Sequence, residues 1–389
     1  MSRIRVAHVI TRLCTGGAQQ NTFHTVRLAN RERYEVDLIS GPSGGLEGSI
    51  EDEVRAAGVS IIPQPQLLRD VSPVNDLRAL GRLTRLMREK RYTIVHTHTS
   101  KAGFIGRLAA RRAGVPVVVH TPHGNIFDGY FSAWKTKLFV GLESLAAGWT
   151  DRIIELTDGG IEASLEQGIG RREQYASIFS GIDLSRYREV NGRRESLRAD
   201  LGVSPEDFLV AGVGRLEPVK GFTYFIAAAK LVAATLPQAR FVLVGEGSEG
   251  DALRADAAAL GDRFRFLGLR DDVPEVMAAA DVLVVPSINE GMGRVVLEAG
   301  GVGTPVVASN VGGIPEVLRD SVTGVLVPPE SPESIARVLV ALAGSPERLE
   351  RMGIASRAHV IPAFGLERMV EQIEALYEEV LKEKHIDAR

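Results

Sequence analysis

The sequence of 389 residues contains a single cysteine, Cys14, and no long hydrophobic run. One cysteine excludes an internal disulfide and a cysteine-rich zinc site. The longest stretch without a charged side chain, residues 299–315, is interrupted by glycines and prolines. A membrane-spanning helix needs about 20 continuous apolar residues. The sequence therefore predicts neither a disulfide-stabilised secreted domain nor a transmembrane helix.

The sequence also lacks a large excess of positive or negative residues. It contains 46 Lys and Arg and 49 Asp and Glu, which gives a formal net charge of −3. This balance excludes a histone-like basic protein and an acidic tail, and we expect no nucleic-acid partner. The opening residues, MSRIRVAHVI, are typical of a strand and lack the long apolar core of a signal peptide. We therefore expect a cytoplasmic protein.

The length favours two domains, because one compact domain rarely exceeds about 250–300 residues. Short runs rich in Val and Ile alternate with helical patterns, which predicts two parallel sheets covered by helices. We place the domains at residues 1–185 and 186–365, followed by an amphipathic helix at 366–382. The predicted strands are residues 5–10, 34–39, 59–62, 94–98, 115–120, 152–157, 175–179, 208–213, 240–244, 263–266, 282–285, 305–308 and 324–327.

The segment GVGRLEPVKG, residues 212–221, directly follows one of these strands. Its Gly214 lets the backbone approach a ligand closely, while Arg215 and Lys220 bring two cations to the carboxyl end of the strand. Fixed positive charge there suits a diphosphate, whose oxygens an arginine can hold with two parallel hydrogen bonds. A turn with two solvated surface cations is the alternative.

A second glycine-rich segment, residues 286–305, follows the strand 282–285 and leads into a helix. A helix start offers unpaired N–H groups to an anion or to sugar hydroxyls. Glu290 lies at the mouth of this helix and Glu298 about two turns further along, so both can face one groove and accept hydrogen bonds from vicinal hydroxyls. Alternatively, Glu290 is an N-terminal helix charge and Glu298 an ordinary surface residue.

The first domain offers a glycine turn and a group of histidines. Gly16 and Gly17 connect the first strand to the first helix, in a turn too short to specify a nucleotide. A histidine at the end of a strand can act as acid, base or hydrogen-bond donor near neutral pH, and His123 is our choice for that role. We expect His96 and His98 to be structural, because neither a His-x-x-x-His helix nor a Cys or Asp cluster predicts a metal site.

Residues 245–250, GEGSEG, match the Gly-x-Gly-x-x-Gly pattern of dinucleotide sites. Such a site also needs an acidic residue at the end of the next strand, about 20 residues on. Asp271 and Asp272 lie near that distance but beyond the strand 263–266. An NAD-dependent oxidoreductase is therefore an alternative function.

Together these motifs resemble the retaining nucleotide-sugar glycosyltransferases of family 4, over nearly the whole chain and in the expected order. The resemblance implies the GT-B architecture, in which two Rossmann-like domains face a central cleft and the last helix crosses back onto the first domain. The segments that carry it are residues 95–103, 121–124, 180–184, 212–221 and 244–247, the pair Glu290-x₇-Glu298, and residues 303–308.

The resemblance further implies a hexosyltransferase that uses a nucleotide-sugar donor, UDP-sugar in preference to GDP-sugar, with no metal or other cofactor. His123, Arg215, Lys220 and Glu290 would act on the transferring sugar and the departing diphosphate, and Glu298 would hold the ribose. Met292 and Arg294 differ from the frequent family residues, which leaves the donor sugar open. The implied donor-binding residues are Gly16, Gly17, Gly214, Arg215, Lys220, Gly245, Leu269, Arg270, Glu290, Gly291, Met292, Gly293, Arg294, Val295 and Glu298.

The mechanism is less constrained by the sequence, and the acceptor stays open among a glycan, a lipid-linked sugar and a small molecule. A double displacement needs a nucleophilic carboxylate on the far face of the sugar, and since no loop presents an obvious one, we expect front-face substitution. No Asp-x-Asp pair is present to hold a metal–diphosphate complex. A non-catalytic nucleotide-sugar sensor on the same scaffold is a further alternative.

The first domain also has features that would suit an anionic membrane surface and a lipid-linked acceptor. Arg78, Arg82 and Arg85 form a stripe on one helix, and the segment 127–139 combines aromatic residues with Lys135 and Lys137. A solvated basic face and a core-facing aromatic helix are the alternative.

Overall fold

A computed structural model describes residues 3–43, 48–124, 133–188, 190 and 194–386. The chain divides into two compact units, of which the first comprises Met1–Gly181 with Leu366–Arg389 and the second Ile182–Gly365. The division falls four residues before the boundary predicted after residue 185. The last helix is part of the first unit.

Strands and helices alternate along the described residues. The strands are β1 Ile4–Ile10, β2 Tyr34–Ser40, β3 Ile61–Pro63, β4 Ile94–His98, β5 Val117–Thr121, β6 Arg152–Glu155, β7 Tyr175–Ser177, β8 Phe208–Val213, β9 Ala239–Val244, β10 Phe264–Gly268, β11 Val282–Val285, β12 Val306–Ser309 and β13 Gly324–Val327. The helices are α1 Gly17–Leu28, α2 Glu51–Ala56, α3 Pro73–Lys90, α4 Ser100–Ala113, α5 Ala133–Ala147, α6 Asp158–Glu166, α7 Ser185–Arg188, α8 Arg194–Asp200, α9 Phe222–Thr235, α10 Gly250–Ala257, α11 Val273–Ala279, α12 Arg294–Val302, α13 Ile314–Val317, α14 Pro332–Ala343, α15 Pro346–Ala363 and α16 Leu366–Glu383. Within the described ranges, no helix is long and apolar enough to span a bilayer.

Each unit contains one sheet whose strands all pair in parallel. The order is β3-β2-β1-β4-β5-β6-β7 in the first unit and β10-β9-β8-β11-β12-β13 in the second. Every predicted strand is present, and the ends differ by no more than two residues. The central strands are buried on both faces, which explains why their sequences are apolar at nearly every position. The prediction of two parallel-sheet α/β domains is confirmed.

The strand order reverses once in each sheet, between β1 and β4 and between β8 and β11. The connections on the two sides of such a point lead away from each other, which leaves a crevice at the carboxyl ends of the strands. Open α/β sheets bind their ligands at this place. Ligand-binding residues are therefore expected in the loops after β1, β4 and β5 and in those after β8 and β11.

Helix α16 completes the core of the first unit. Its Ile373 and Tyr377 are buried in one apolar cluster with Val6 of β1 and Ile94 of β4. Its Glu378 accepts hydrogen bonds from Arg33 Nε and Nη2, both at 2.8 Å, and from Tyr34 Oη at 2.6 Å. The apolar face and this polar anchor hold the helix on the sheet.

A chain of hydrogen-bonded histidines lies under α16, along the carboxyl ends of β1 and β4. His8 Nδ1 lies 2.9 Å from His98 Nε2, and His98 Nδ1 lies 2.8 Å from His123 Nε2. His96 Nδ1 lies 2.7 Å from Tyr377 Oη, while His96 Nε2 lies 2.8 Å from a threonine hydroxyl of β5. Since every ring contributes one proton when neutral, the chain is satisfied by neutral imidazoles.

These buried, hydrogen-bonded histidines make the stability of the first unit sensitive to acid. Burial lowers the pKa of His8 and His123 to about 3 and lowers the pKa of His96, His98 and His120 well below the ordinary value. The unfolded chain takes up protons near pH 6.5 whereas the folded chain does not, so stability is complete above pH 6.5 and falls as the pH decreases below it. Each fully buried histidine contributes up to about 1.4 kcal/mol per pH unit.

We therefore expect the free energy of unfolding of the first unit to decrease by several kcal/mol between about pH 7 and pH 5. Trp134 and Trp149 both lie in this unit, so tryptophan fluorescence in urea titrations reports its unfolding. His8→Asn should reduce the number of protons taken up on unfolding by about one, which weakens the pH dependence of stability. The matched control is His385→Asn, because His385 is exposed. A stability that stays level from pH 7 to pH 5 would contradict neutral burial of these rings.

Candidate functional site

The loop after β8, residues 214–221, is held against the loop after β11. Gly221 has φ 64°, and a Cβ at this position would lie 2.2 Å from the carbonyl oxygen of Pro286. Next to this contact, the Ile288 amide donates to the Val219 carbonyl at 2.9 Å. Only glycine allows the two backbones to approach so closely. The contact fixes Lys220, the last residue of a 3₁₀ turn, beside the loop that carries Glu290.

Lys220 and Glu290, predicted from separate motifs, form one ion pair. Lys220 Nζ lies 2.5 Å from Glu290 Oε1, which also accepts a hydrogen bond from Ser287 Oγ at 2.9 Å. The Lys220 side chain is 23% exposed and that of Glu290 is 12% exposed. The pair is therefore partly shielded from water but remains reachable from one side. Arg215, the other predicted cation, has an exposed side chain.

Helix α12 begins beside this pair. Gly293 precedes the helix with φ 73°, and no side chain caps its first turn. The amides that follow Gly293 are suited to an anion because the first amides of a helix have no partner within it. Gly291 is exposed at the approach to the helix, whereas the side chain of Met292 is only 3% exposed. The Met292 side chain thus belongs to the core, and only its backbone is available to a ligand.

Glu298 lies on the same face of α12 as Arg294, one turn further on. Burial raises the pKa of Glu298, while the positive charges of Arg294 and Lys220 lower it. Lys220, which is paired with Glu290, thus also acts on the charge of Glu298. Arg294 Nη1 is buried and has no hydrogen-bond partner among the described residues. One terminal nitrogen of Arg294 is thus unpartnered in the described part of the chain, although the charge of the guanidinium acts on Glu298.

The segment 245–250 packs against the loop after β8. A Cβ at Gly245, which has φ 133°, would lie 1.9 Å from the Gly214 carbonyl oxygen. The Gly214 amide donates to the Val244 carbonyl at 3.0 Å, and the Leu216 amide donates to the Glu246 carbonyl at 2.9 Å. The glycine pattern is therefore explained by contact between two loops, and it needs no dinucleotide.

The loop after β10 contributes an exposed apolar side chain, since Leu269 is 76% exposed. Next to it, Arg270 Nε and Nη2 donate to the two carboxylate oxygens of Asp272, each at 2.6 Å. These hydrogen bonds raise the pKa of Arg270. Asp272, one of the two acids considered for a dinucleotide ribose, is occupied by this arginine.

The first unit presents its predicted residues at the β1/β4 crevice. Gly16 precedes α1, whose first turn has no side-chain cap, and Gly17 is exposed. His123 has φ 66°, in the left-handed region, and ends the histidine chain through its Nε2. Because burial lowers its pKa to about 3, His123 is a neutral hydrogen-bonding group at physiological pH and not a cation.

Three histidines of the first unit come close enough to suggest a metal site. One ring nitrogen from each of His8, His96 and His98 lies within 4.8 Å of the others. These nitrogens already take part in the hydrogen bonds described above, so a metal ion would have to displace them. Imidazole is a common zinc ligand, but these three rings are hydrogen-bonded to one another and to neighbouring side chains in the core.

Several contributors to the site were missed from the sequence. Ser287 holds the carboxylate of Glu290, and the Gly313 amide donates to the Glu290 carbonyl at 3.0 Å. His8 and Tyr377 complete the histidine chain from opposite ends of the polypeptide. Only Ser287 lies inside a motif that the sequence made conspicuous; the other contacts join residues whose proximity depends on the fold.

Comparisons with known proteins identify the family of this chain. The family model described as "Glycosyl transferases group 1" matches residues 193–359, and that described as "Glycosyl transferase 4-like domain" matches residues 16–178. An Escherichia coli relative named UDP-Gal:alpha-D-GlcNAc-diphosphoundecaprenol alpha-1,3-galactosyltransferase is 32% identical over 388 residues, which cover 98% of this chain and 99% of the relative.

Two further proteins support the assignment. A D-inositol 3-phosphate glycosyltransferase of Segniliparus rotundus is 34% identical over 312 residues, covering 75% of this chain and 67% of that protein. The crystal structure of HepE from Anabaena in complex with UDP has the same fold, with a TM-score of 0.82 at 24% identity, covering 97% of this chain and 100% of the other. The chain belongs to the group 1 glycosyltransferases and has their GT-B architecture.

Proposed function

We propose that this glycosyltransferase moves a hexosyl group from a UDP-sugar to a lipid-linked acceptor, with retention of anomeric configuration and without a metal ion. The observation that carries the proposal is the Lys220–Glu290 pair at the β8/β11 switch point, beside the uncapped start of α12. Such a site offers positive charge, helix amides and carboxylates to one ligand. A nucleoside-diphosphate sugar has groups that match all three.

The diphosphate would lie against Lys220, Arg215 and the first amides of α12. Without donor, Lys220 is neutralised by Glu290, so the partly buried cation is not left unpaired. When a diphosphate arrives, Lys220 can share its ammonium with a phosphate oxygen while Glu290 turns its second oxygen to a sugar hydroxyl. The ion pair thus holds both groups in place before the donor binds.

The rest of the donor would follow the carboxyl edge of the sheet. Glu298 would accept hydrogen bonds from the ribose hydroxyls, and Leu269 with Arg270 would lie beside the base, next to the Gly245 turn. We favour uridine because HepE was solved with UDP and the Escherichia coli relative is named for UDP-Gal. The family resemblance implies donor-binding roles for Gly16 and Gly17 as well, and a role for His123 as a neutral hydrogen-bonding group for the transferring sugar.

The site chemistry favours front-face substitution. In this step the bond from the anomeric carbon to the phosphate oxygen breaks, and a bond from that carbon to the acceptor oxygen forms on the same face. The acceptor proton passes to the departing phosphate oxygen, which leaves UDP and the glycoside. Glu290, the carboxylate expected nearest the sugar, is bound to Lys220 and Ser287, an arrangement suited to positioning hydroxyls rather than to nucleophilic attack.

A lipid-linked acceptor is proposed because the Escherichia coli relative, aligned over almost its whole length, is named for a diphosphoundecaprenol-linked sugar. The stripe of Arg78, Arg82 and Arg85 on α3 is exposed, as docking on anionic lipid requires. Lys135 lies over the Trp134 ring, 5.7 Å from its centre. Of the aromatic segment 127–139, residues 127–132 lie outside the described residues. We propose a peripheral association with the cytoplasmic face of the membrane.

Binding of UDP tests the donor assignment. We expect UDP to raise the melting temperature of the protein and NAD to leave it unchanged, because the residues that would hold a ribose-linked diphosphate here are Lys220 and Glu298 rather than the 245–250 turn. Thermal-shift measurements with UDP, GDP, ADP and NAD at equal concentration check this. A shift produced by NAD alone would favour the oxidoreductase alternative.

Replacement of Lys220 tests the catalytic assignment. Lys220→Met should lower kcat by about 10²–10³, because one preorganised charge that stabilises the leaving diphosphate is lost. The matched control is Lys230→Met on α9 of the same unit, which breaks the ion pair to Asp256 of α10 and should leave turnover unchanged. The measurement is sugar transfer from labelled UDP-hexose, with circular dichroism to verify folding. A Lys220→Met enzyme with near-normal kcat would refute the assigned role.

Metal independence is tested separately. We expect turnover in excess EDTA to stay within about twofold of that in magnesium, because arginine, lysine and helix amides compensate the diphosphate charge. The assay measures UDP release with dialysed enzyme and metal-free substrates. Loss of turnover in EDTA that magnesium restores would show that a metal ion takes part.

A further inference from the structure

An apolar groove lies in the first unit, with the beginning of α3 on one side, α5 on the other and α4 as its floor. Its volume is about 790 Å³, within the range of sites that bind small molecules, which is about 300–1,000 Å³. Most of its surface is apolar. The side chains that form it include Leu77, Leu80, Phe104, Leu108, Phe139 and Leu142.

Apolar side chains at the rim of this groove are unusually exposed to solvent. Val71 is 77% exposed and Leu77 is 69% exposed. Of the eleven large hydrophobic side chains that are exposed in the described residues, Val71 and Leu77 line the groove itself, and four more lie in the same two segments, residues 71–77 and 134–145. An apolar concentration of this kind on a protein surface marks an interaction site.

Positive charge lies at the end of the groove next to the carboxyl ends of β1 and β4. Arg12, Arg69 and Lys101 line this end together with Thr11 and Thr99, which directly follow those strands. The two carboxylates in the lining are each bound to a cation. Asp76 lies 2.7 Å from Lys101 Nζ, and Glu143 lies 2.5 Å from Arg107 Nη2. Since Lys101 is already paired with Asp76, the positive charge in excess of these carboxylates comes from Arg12 and Arg69, and most of the remaining lining is apolar.

We infer that this groove holds the isoprenoid segment of a polyprenyl-diphosphate-linked sugar acceptor. Its diphosphate would face Arg12, Arg69 and Lys101, and its sugar would lie at the β1/β4 crevice. The inference deepens the proposed function and rests on it for the identity of the acceptor. A phospholipid fits less well, because its head group carries no sugar to present at the crevice. The volume accommodates the first isoprene units, and the rest of a long chain would remain in the membrane.

The test uses the full-length protein with Val71 and Leu77 both replaced by serine. These side chains are exposed in the protein alone, so the double variant should fold normally. The matched control is Leu231→Ser with Ile354→Ser, which removes two apolar side chains that are 45% and 64% exposed in the second unit. The acceptor probes are GlcNAc diphosphate esterified to a farnesyl chain and the same compound with an ethyl group.

We expect V71S/L77S to raise the KM for the farnesyl acceptor about tenfold and to leave kcat and the KM for the ethyl acceptor unchanged. The control variant should match the wild type with both acceptors. An equal effect on both acceptors, or no effect on either, would overturn the groove assignment.

A binding measurement separates this inference from the proposed function. Farnesyl diphosphate should bind the wild type about tenfold more tightly than V71S/L77S by calorimetry, whether or not any transfer is observed. If binding follows this pattern but no acceptor is glycosylated, the proposed acceptor class fails while the groove assignment stands. Equal binding to both proteins, or loss only of binding to phosphatidylglycerol vesicles, would overturn the assignment.

Discussion

Close contact between backbones is the constraint on which the proposed donor site of the second unit depends. At Gly221 and at Gly245 a single additional carbon would overlap a carbonyl oxygen of the neighbouring loop. These contacts bring the loop after β8 against the loops after β9 and β11. Lys220 can therefore reach Glu290 although 70 residues separate them in the sequence. The ion pair is a consequence of the loop packing, and the packing requires glycine.

The electrostatic character of the two units differs in a way that matches the roles proposed for them. In the second unit, Lys220, Arg215 and Arg294 supply fixed positive charge close to a helix start, which suits a departing diphosphate. In the first unit, burial keeps His96, His98 and His123 neutral by lowering their pKa. A neutral His123 can hydrogen-bond a sugar hydroxyl but adds no positive charge, and in the proposed function the diphosphate charge is compensated by the cations of the second unit.

The fold could be predicted from the sequence because its strongest signals are local. A parallel strand buried on both faces is apolar at almost every position, and a loop such as 212–221 shows its glycines and cations within ten residues. Glu290 and Glu298 could be predicted as site residues because both lie in one such segment. The histidine chain was only partly visible, because His8, His98 and Tyr377 meet through the sheet and α16. Contacts of this kind leave no pattern in a single sequence.

The apolar residues at helical spacing in α3 can be explained in two ways, by packing into the core or by binding of an apolar ligand. Leu77, Leu80 and Leu83 follow helical spacing, which indicates one apolar face packed into the core. Leu80 and Leu83 are indeed buried, but Leu77 is largely exposed at the rim of the groove. The apolar face of α3 therefore extends beyond the core that it covers. Since exposing a large side chain forfeits the stabilisation that its burial would provide, the extension is best explained by an apolar ligand that covers it, and periodicity alone could not distinguish that ligand from the protein interior.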